Sequence, residues 1–158
     1  RIMSERDVDT MQFPGHLIRR LHQISVALFA EHMVRHNIDL TPVQFSAMDA
    51  IAREPGVDQA TIAARIAYDR ATLGKVIDRL ELKGLVLRTV SPSDRRARLV
   101  ALSRAGETLL AQAIPVAAAL QPKILAGLST EEQDQMTRLL AKATRDIEDM
   151  EQSAAQPV

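Results

Sequence analysis

Residues 57–102, VDQATIAARIAYDRATLGKVIDRLELKGLVLRTVSPSDRRARLVAL, contain the signature of a helix start twice. Asp58 is placed to accept from the orphan amides of a first helical turn, and Val57 and Ile62 stand at the flanking positions of a hydrophobic staple. The same pattern returns with Asp69 as cap and Tyr68 stapled to Leu73. The first helix is expected to end near Ile66, which leaves only a tight turn around Ala67 before the second. Helices joined so closely must cross steeply.

In the second helix Leu73, Val76, Ile77 and Leu80 recur at i, i+3, i+4, i+7, the spacing of a buried stripe, and Gly84 stands as the residue that closes it. The opposite face carries Ala71, Lys75 and Asp78, flanked by Thr72 and Arg79, with Arg70 near the N-terminus. A helix entering the DNA major groove needs such a slim edge with a few donors. Taken alone, the same face also describes an ordinary solvated helix.

The segment that follows decides between them. LVLRTV, residues 85–90, alternates around β-formers, breaks over Ser91 to Asp94, and resumes with Leu99, Val100 and Leu102, which predicts a two-stranded hairpin. Arg88, Arg95, Arg96 and Arg98 cluster on it. Arginines at a hairpin tip suit the narrow minor groove or a phosphate clamp. Asp94 is expected to pair with Arg96 or Arg98 and cap the turn, holding Arg95 outward. The predicted fold is mainly α: a winged helix-turn-helix with a small β-hairpin wing, plus long terminal helices. The candidate DNA-binding set is Gln59, Arg70, Ala71, Thr72, Lys75, Arg79, Arg88, Arg95, Arg96 and Arg98, with Asp94 as wing support.

At these residues the chain resembles the multiple antibiotic resistance regulator (MarR) family of bacterial transcription factors. The resemblance is carried by RLELKGLVLR at residues 79–88 and by Asp94, Arg95 and Arg96 in the wing. Leu102 and Ser103 with Gly106 soon after, and LSTEEQDQMTRLLAKA at residues 128–143, add to it, and it extends from Pro14 to Ile147. It implies a dimer, built by the first helix and the last two, that represses its targets and is released from DNA by a small ligand. On that reading residues 13–37 and 104–150 form the dimerisation helices, 41–103 the DNA-binding region, and 1–12 and 151–158 mobile ends.

Upstream, a long amphipathic helix is expected from Pro14 to His36, with Leu17, Leu21, Ile24 and Leu28 as its apolar stripe. Thr41, Pro42 and Gln44 form a helix start with Leu40 and Phe45 as staple, and Pro55 with Gly56 closes that helix. In the fifth helix, from Arg104, Pro115 and Pro122 should kink or break the chain. Ser129 and Glu132 form a capping box that opens the sixth. Leu109, Leu110, Ala113, Ile114, Ala117 and Leu120, with Leu139, Leu140, Ala143 and Ile147, suit close packing in a homodimer. Such a dimer presents two recognition helices about 34 Å apart to a palindromic operator on double-stranded DNA.

Charge agrees by its distribution. The net charge is zero, yet Arg53 to Arg98 holds ten basic against six acidic residues, whereas the chain from Leu99 onward holds five against eight. The acidic run Asp146, Glu148, Asp149 and Glu151 is expected to face solvent away from DNA. There is no cysteine, which removes disulfides and thiolate redox sensing. No long apolar run or signal peptide is present, so no membrane partner is expected and a bacterial cytoplasmic location is.

No cofactor is expected beyond a small aromatic carboxylate effector, bound where family members hold such acids. His16, Arg19 and Arg20 could supply its cationic side and Phe13, Leu17, Phe45, Met48 and Tyr68 its walls. The bland reading of the same residues is surface charge and ordinary core. His32 and His36 have the i, i+4 spacing of a metal pair, but the fifth helix holds no His or Cys to complete a site, so no metal is expected. A metal-responsive regulator and a winged helix used only for protein contacts remain the alternatives. No hydrolase triad or phosphate-binding glycine loop is present, and an enzyme is not expected.

Overall fold

A computed structural model describes residues 8–154, and side chains as far as Arg145. The elements in order are α1 (Pro14–Arg35), α2 (Pro42–Arg53), β1 (Val57–Asp58), α3 (Gln59–Arg65), α4 (Arg70–Leu82), β2 (Val86–Val90), β3 (Arg98–Leu102), α5 (Arg104–Ile124) and α6 (Thr130–Ala154). The chain divides into two compact units, the first ending at Leu120 and the second beginning at Gln121.

The helix starts are as expected. The Asp58 carboxylate accepts from the Thr61 amide at 2.9 Å and Asp69 from the Thr72 amide at 2.8 Å. Thr41 and Gln44 close a reciprocal capping box at the head of α2, with Pro42 in the first turn. The helix ends share one device. In α1, α3 and α4 the final turn closes through a residue of positive φ: Asn37 at 56°, Ala67 at 54° and Gly84 at 71°. Each is followed by a bond from the next amide back five residues, Ile38 to Met33, Tyr68 to Ala63 and Leu85 to Leu80. Ala67 adopts this backbone despite its Cβ, at a cost of roughly 1–2 kcal/mol.

The core of the first unit is built from Met33, Met48, Ile51, Ile62, Leu73, Ile77, Leu80, Val86 and Val100, all nearly or wholly inaccessible. Leu73, Val76, Ile77 and Leu80 form the inward stripe of α4, as their spacing predicted. The wing differs from expectation in strand number. Val57 and Asp58 pair antiparallel with Val100 and Leu99, giving a three-stranded sheet of order β1-β3-β2. A two-residue strand has no periodicity to detect; it forms because the Gly56 amide donates to Val100 at 3.0 Å and delivers the chain onto the edge of β3.

One corner fixes the sheet to α4 and α5. The Ser103 hydroxyl donates to the Gly84 carbonyl at 2.6 Å and accepts from the Gly106 amide at 3.0 Å, while the Ser103 amide donates to the Leu85 carbonyl at 3.0 Å. A Cβ on Gly106 would lie 2.1 Å from that Leu85 carbonyl oxygen, so only glycine fits there.

Two expectations are corrected here. Neither Pro115 nor Pro122 interrupts α5, which is helical throughout Arg104–Ile124; each proline removes one amide, and the remaining bonds of the turn carry the helix past it. Leu110, Ala113, Ala117 and Leu120 are buried within the monomer, so the outward apolar residues of the α5 set are Ile114, 45% exposed, and the partly exposed Leu109. Thr10–Gln12 form a 3-10 turn capped by Asp9. Residues 1–7 and 155–158, and the side chains of Asp146, Ile147, Glu148, Asp149 and Glu151, lie outside the described residues.

In the second unit, α6 opens with the expected capping box. The Glu132 amide donates to the Ser129 hydroxyl at 3.3 Å and the Ser129 amide to the Glu132 carboxylate at 2.8 Å. Among the described residues no helix is long and apolar enough to cross a membrane.

Candidate nucleic-acid interface

The N-termini of α3 and α4 and the tip of the wing converge on one cleft of about 460 Å³, lined by Asp58, Gln59, Ala60, Arg70, Asp94, Arg96, Ala97 and Arg98. Three guanidinium-bearing side chains therefore face a space flanked by the positive ends of helix dipoles. Arg70, Ala71, Thr72, Lys75, Arg79, Arg95, Arg96 and Arg98 are all exposed. Apart from Gln59 at the start of α3, the expected set thus falls on α4 and the wing.

Local chemistry refines several roles. Both caps are carboxylates held below the ordinary range. For Asp58 the Thr61 amide is the main cause, followed by the Thr61 hydroxyl. For Asp69 the Thr72 hydroxyl comes first and its amide second. Thr72 therefore spends its hydroxyl proton on Asp69 at 2.5 Å and presents only acceptor capacity outward.

Asp94 caps the wing turn through the Arg96 backbone amide at 2.9 Å, not by pairing with the guanidinium of Arg96 or Arg98 as expected. A two-residue step back to an amide is the short path for an Asp in a turn, and it leaves both guanidinium groups free of the carboxylate. Arg98 braces the same turn by donating to the Arg95 carbonyl at 3.1 Å. Ser91, buried at the loop base, accepts from the amides of Ser93 and Asp94 at 3.3 Å each.

Arg88 has a different task from its neighbours. Its guanidinium pairs with Glu81 at 2.5 Å and Asp78 at 2.8 Å, donates to Gln59 at 3.3 Å, and is only 23% exposed. The bond to Glu81, then that to Asp78, holds it more firmly protonated than a free arginine. It ties β2 to α4 and α3. Asp78 and Glu81 stand at i, i+3 on a helix whose other charges are basic, but no local pattern assigns Arg88 as their partner.

The expected effector residues are dispersed in the single chain. Phe13, which caps α1, and Leu17 on it are 50% and 44% exposed, Arg19 and Arg20 are exposed, and His16 is half-buried. Met48 is wholly buried as part of the inward face of α2, which removes it from the wall of an open cleft. Tyr68 is 41% exposed in the turn after α3. Phe45 packs on Phe29 with ring centroids 5.7 Å apart and edges a cleft with Ser46, Asp49, Ala50, Arg53, Arg65 and Ile66. A further cleft of about 530 Å³ is lined by His32, His36, Ile38, Gln112, Pro115, Val116 and Ala119. His32 and His36 direct Nδ1 to the carbonyls of Leu28 and His32 at 2.8 Å. Among the described residues no three His, Cys, Asp or Glu gather as a metal site.

A family model described as MarR family matches residues 38–97, the segment that contains α2 to the wing tip. The chain is 38% identical over 127 residues to the transcriptional regulator HosA of Escherichia coli O111:H-, an alignment covering 78% of this chain and 93% of that one. The chain belongs to the MarR family. It is a winged-helix transcriptional regulator of that family and not an enzyme. Two solved MarR-family structures extend the likeness. One is BpsR of Bordetella bronchiseptica, described in connection with regulation of its DNA binding by 6-hydroxynicotinic acid; it has a TM-score of 0.79 and 29% identity, covering 87% of this chain and 96% of that one. The other is a mutant of E. coli MarR complexed with operator DNA, with a TM-score of 0.76 and 26% identity, covering 86% and 99%.

Proposed function

We propose that this MarR-family regulator acts as a homodimeric repressor that seats α4 in successive major grooves of a near-palindromic operator and is released by a small aromatic or heteroaromatic acid. The observation that carries the reading is the convergence of Arg70, Arg96 and Arg98 on one cleft beside the exposed face of α4. Ala71, Lys75 and Arg79 meet base edges, Thr72 accepts at the groove, and Arg95 enters the minor groove or clamps its phosphates. Gln59 and Arg88 position the wing from behind. Occupancy of a start site by such a dimer excludes polymerase, the simplest route to repression.

The dimer is supported by what the monomer leaves uncovered. Leu17, Ile18 and Ile24 on α1 and Leu139 on α6 are between 44% and 55% exposed, large apolar side chains that a second chain would cover. Residues 13–37 and 104–150 then form the dimerisation region and 41–103 the DNA-binding region. His16, Arg19 and Arg20 supply the cationic side of an effector site that a second chain completes. The ligand named for BpsR supports an acid of this class. Effector binding shifts the population toward a conformer whose recognition helices no longer match adjacent grooves.

The test is binding of the purified protein to the intergenic DNA upstream of its own gene, with and without a panel of benzoate-like and hydroxylated heteroaromatic acids. Specific binding relieved by one acid is the expected result. Specific binding indifferent to the whole panel overturns the effector class, and absence of specific binding overturns the repressor reading.

A further inference from the structure

Gly74 occupies the middle of α4, where glycine is the least favourable choice after proline. Among the described residues no contact accounts for it. Its backbone is not left-handed, since the glycines of positive φ are Gly56 and Gly84. A Cβ built on Gly74 meets nothing within 4 Å, in contrast to Gly106, whose Cβ would strike the Leu85 carbonyl. An alanine would fit the monomer and favour the helix.

Its position on the helix shows what lies outside. At about 100° per residue, Ala71, Lys75 and Asp78 form the leading edge, opposite the buried stripe, and Gly74 lies roughly 70° to one side of that edge. A helix lying in the major groove turns its leading edge toward the bases and its flanks toward the sugar-phosphate walls. The charges on this flank do not repel a polyanion: Arg70, about 40° from Gly74, lines the basic cleft, and both carboxylates on this side, Asp78 and Glu81, are paired with Arg88.

We propose that Gly74 is where one strand's sugar-phosphate wall closes against the helix backbone, so that the missing Cβ sets the depth at which Ala71 and Lys75 reach the base edges. This rests on the DNA-binding reading above. Gly74 is thereby a specificity determinant that makes no polar contact of its own.

The experiment is Gly74→Ala, with Gly74→Val as the larger step, measured by thermal melting and by affinity for the upstream operator and for a base-shuffled duplex of equal length. The expected result for Gly74→Ala is a melting temperature raised by about 2–4 °C. Operator affinity falls by about tenfold or more, and shuffled-duplex affinity by less than about threefold, because a non-specific complex held by phosphate contacts does not require full insertion. Gly74→Val loses operator affinity further. A Gly74→Ala protein with higher melting temperature and unchanged operator affinity overturns the proposal while leaving the DNA reading intact. A lower melting temperature also overturns it, since the glycine would then serve the fold. A wild-type protein that fails to distinguish operator from shuffled duplex overturns both.

Discussion

Arg88 on β2 and Glu81 on α4 lie 2.5 Å apart, and the same guanidinium reaches Asp78 one turn earlier on the helix. The wing and α4 are thus held together by one cation, whose two carboxylate partners both belong to α4. An arginine committed in this way differs from the exposed arginines at the tip.

That difference is measurable. Arg88→Ala should lower the melting temperature by a few degrees, since each solvent-touched ion pair contributes at most about 1 kcal/mol. Arg95→Ala should leave melting unchanged, weaken operator and random DNA alike, and reduce the slope of log affinity against log salt by about one. If Arg88→Ala leaves melting unchanged and reduces the salt slope by one, Arg88 is a phosphate contact and the bracing role is wrong.

Gly106→Ala should be destabilising by about 1–3 kcal/mol in urea unfolding, the usual cost of overpacking, because the added methyl group meets a backbone carbonyl and not a movable side chain. The opposite signs predicted for Gly106→Ala and Gly74→Ala follow from the same geometric question asked at two places. A neutral Gly106→Ala would show that the corner at Ser103 relaxes easily.

Ala67→Gly should stabilise by about 1 kcal/mol, the cost of a side chain in left-handed backbone, and raise the melting temperature by about 2–4 °C. The competing effect is the greater freedom glycine gives the unfolded chain. A fall in melting temperature would mean that this entropy outweighs the relief of strain in the α3–α4 turn.

Asp58 and Asp69 make stability depend on acid. Their folded carboxyls titrate below the ordinary value of 3.8, so the unfolded chain takes up these protons first as the pH falls. The caps contribute fully above about pH 4, and the contribution is lost as the pH drops through the folded values. Acid unfolding of Asp58→Asn and Asp69→Asn, which keep a capping oxygen without the charge, should be less steep than wild type in that range. An equal slope in the double variant would assign the acid sensitivity elsewhere.

The fold was legible where local grammar and packing agree. Asp58, Asp69 and Thr41 cap as their sequence context demands, and the Leu73 to Leu80 stripe is buried on schedule. Two kinds of feature were not legible. Val57 and Asp58 become a strand only because β3 is beside them, and Arg88 turns inward only because Asp78 and Glu81 present carboxylates to it. Both are decided by partners distant in the chain or on another element. Pro115 misled for the converse reason: a local rule was overruled by the helix around it. The effector residues were grouped by residue type and stand on α1 and its N-cap, on α2 and in the α3–α4 turn; Met48 among them is core, a burial that residue type does not distinguish from a pocket wall.

The most direct measurement is affinity for the upstream operator and for a base-shuffled duplex of the same length, each across a range of salt concentrations. The account predicts that both affinities fall steeply with salt, by about 0.9 log units per tenfold change for each phosphate neutralised, and that the operator binds at least about a thousandfold more tightly. Equal affinities for the two duplexes, or an affinity indifferent to salt, would contradict it.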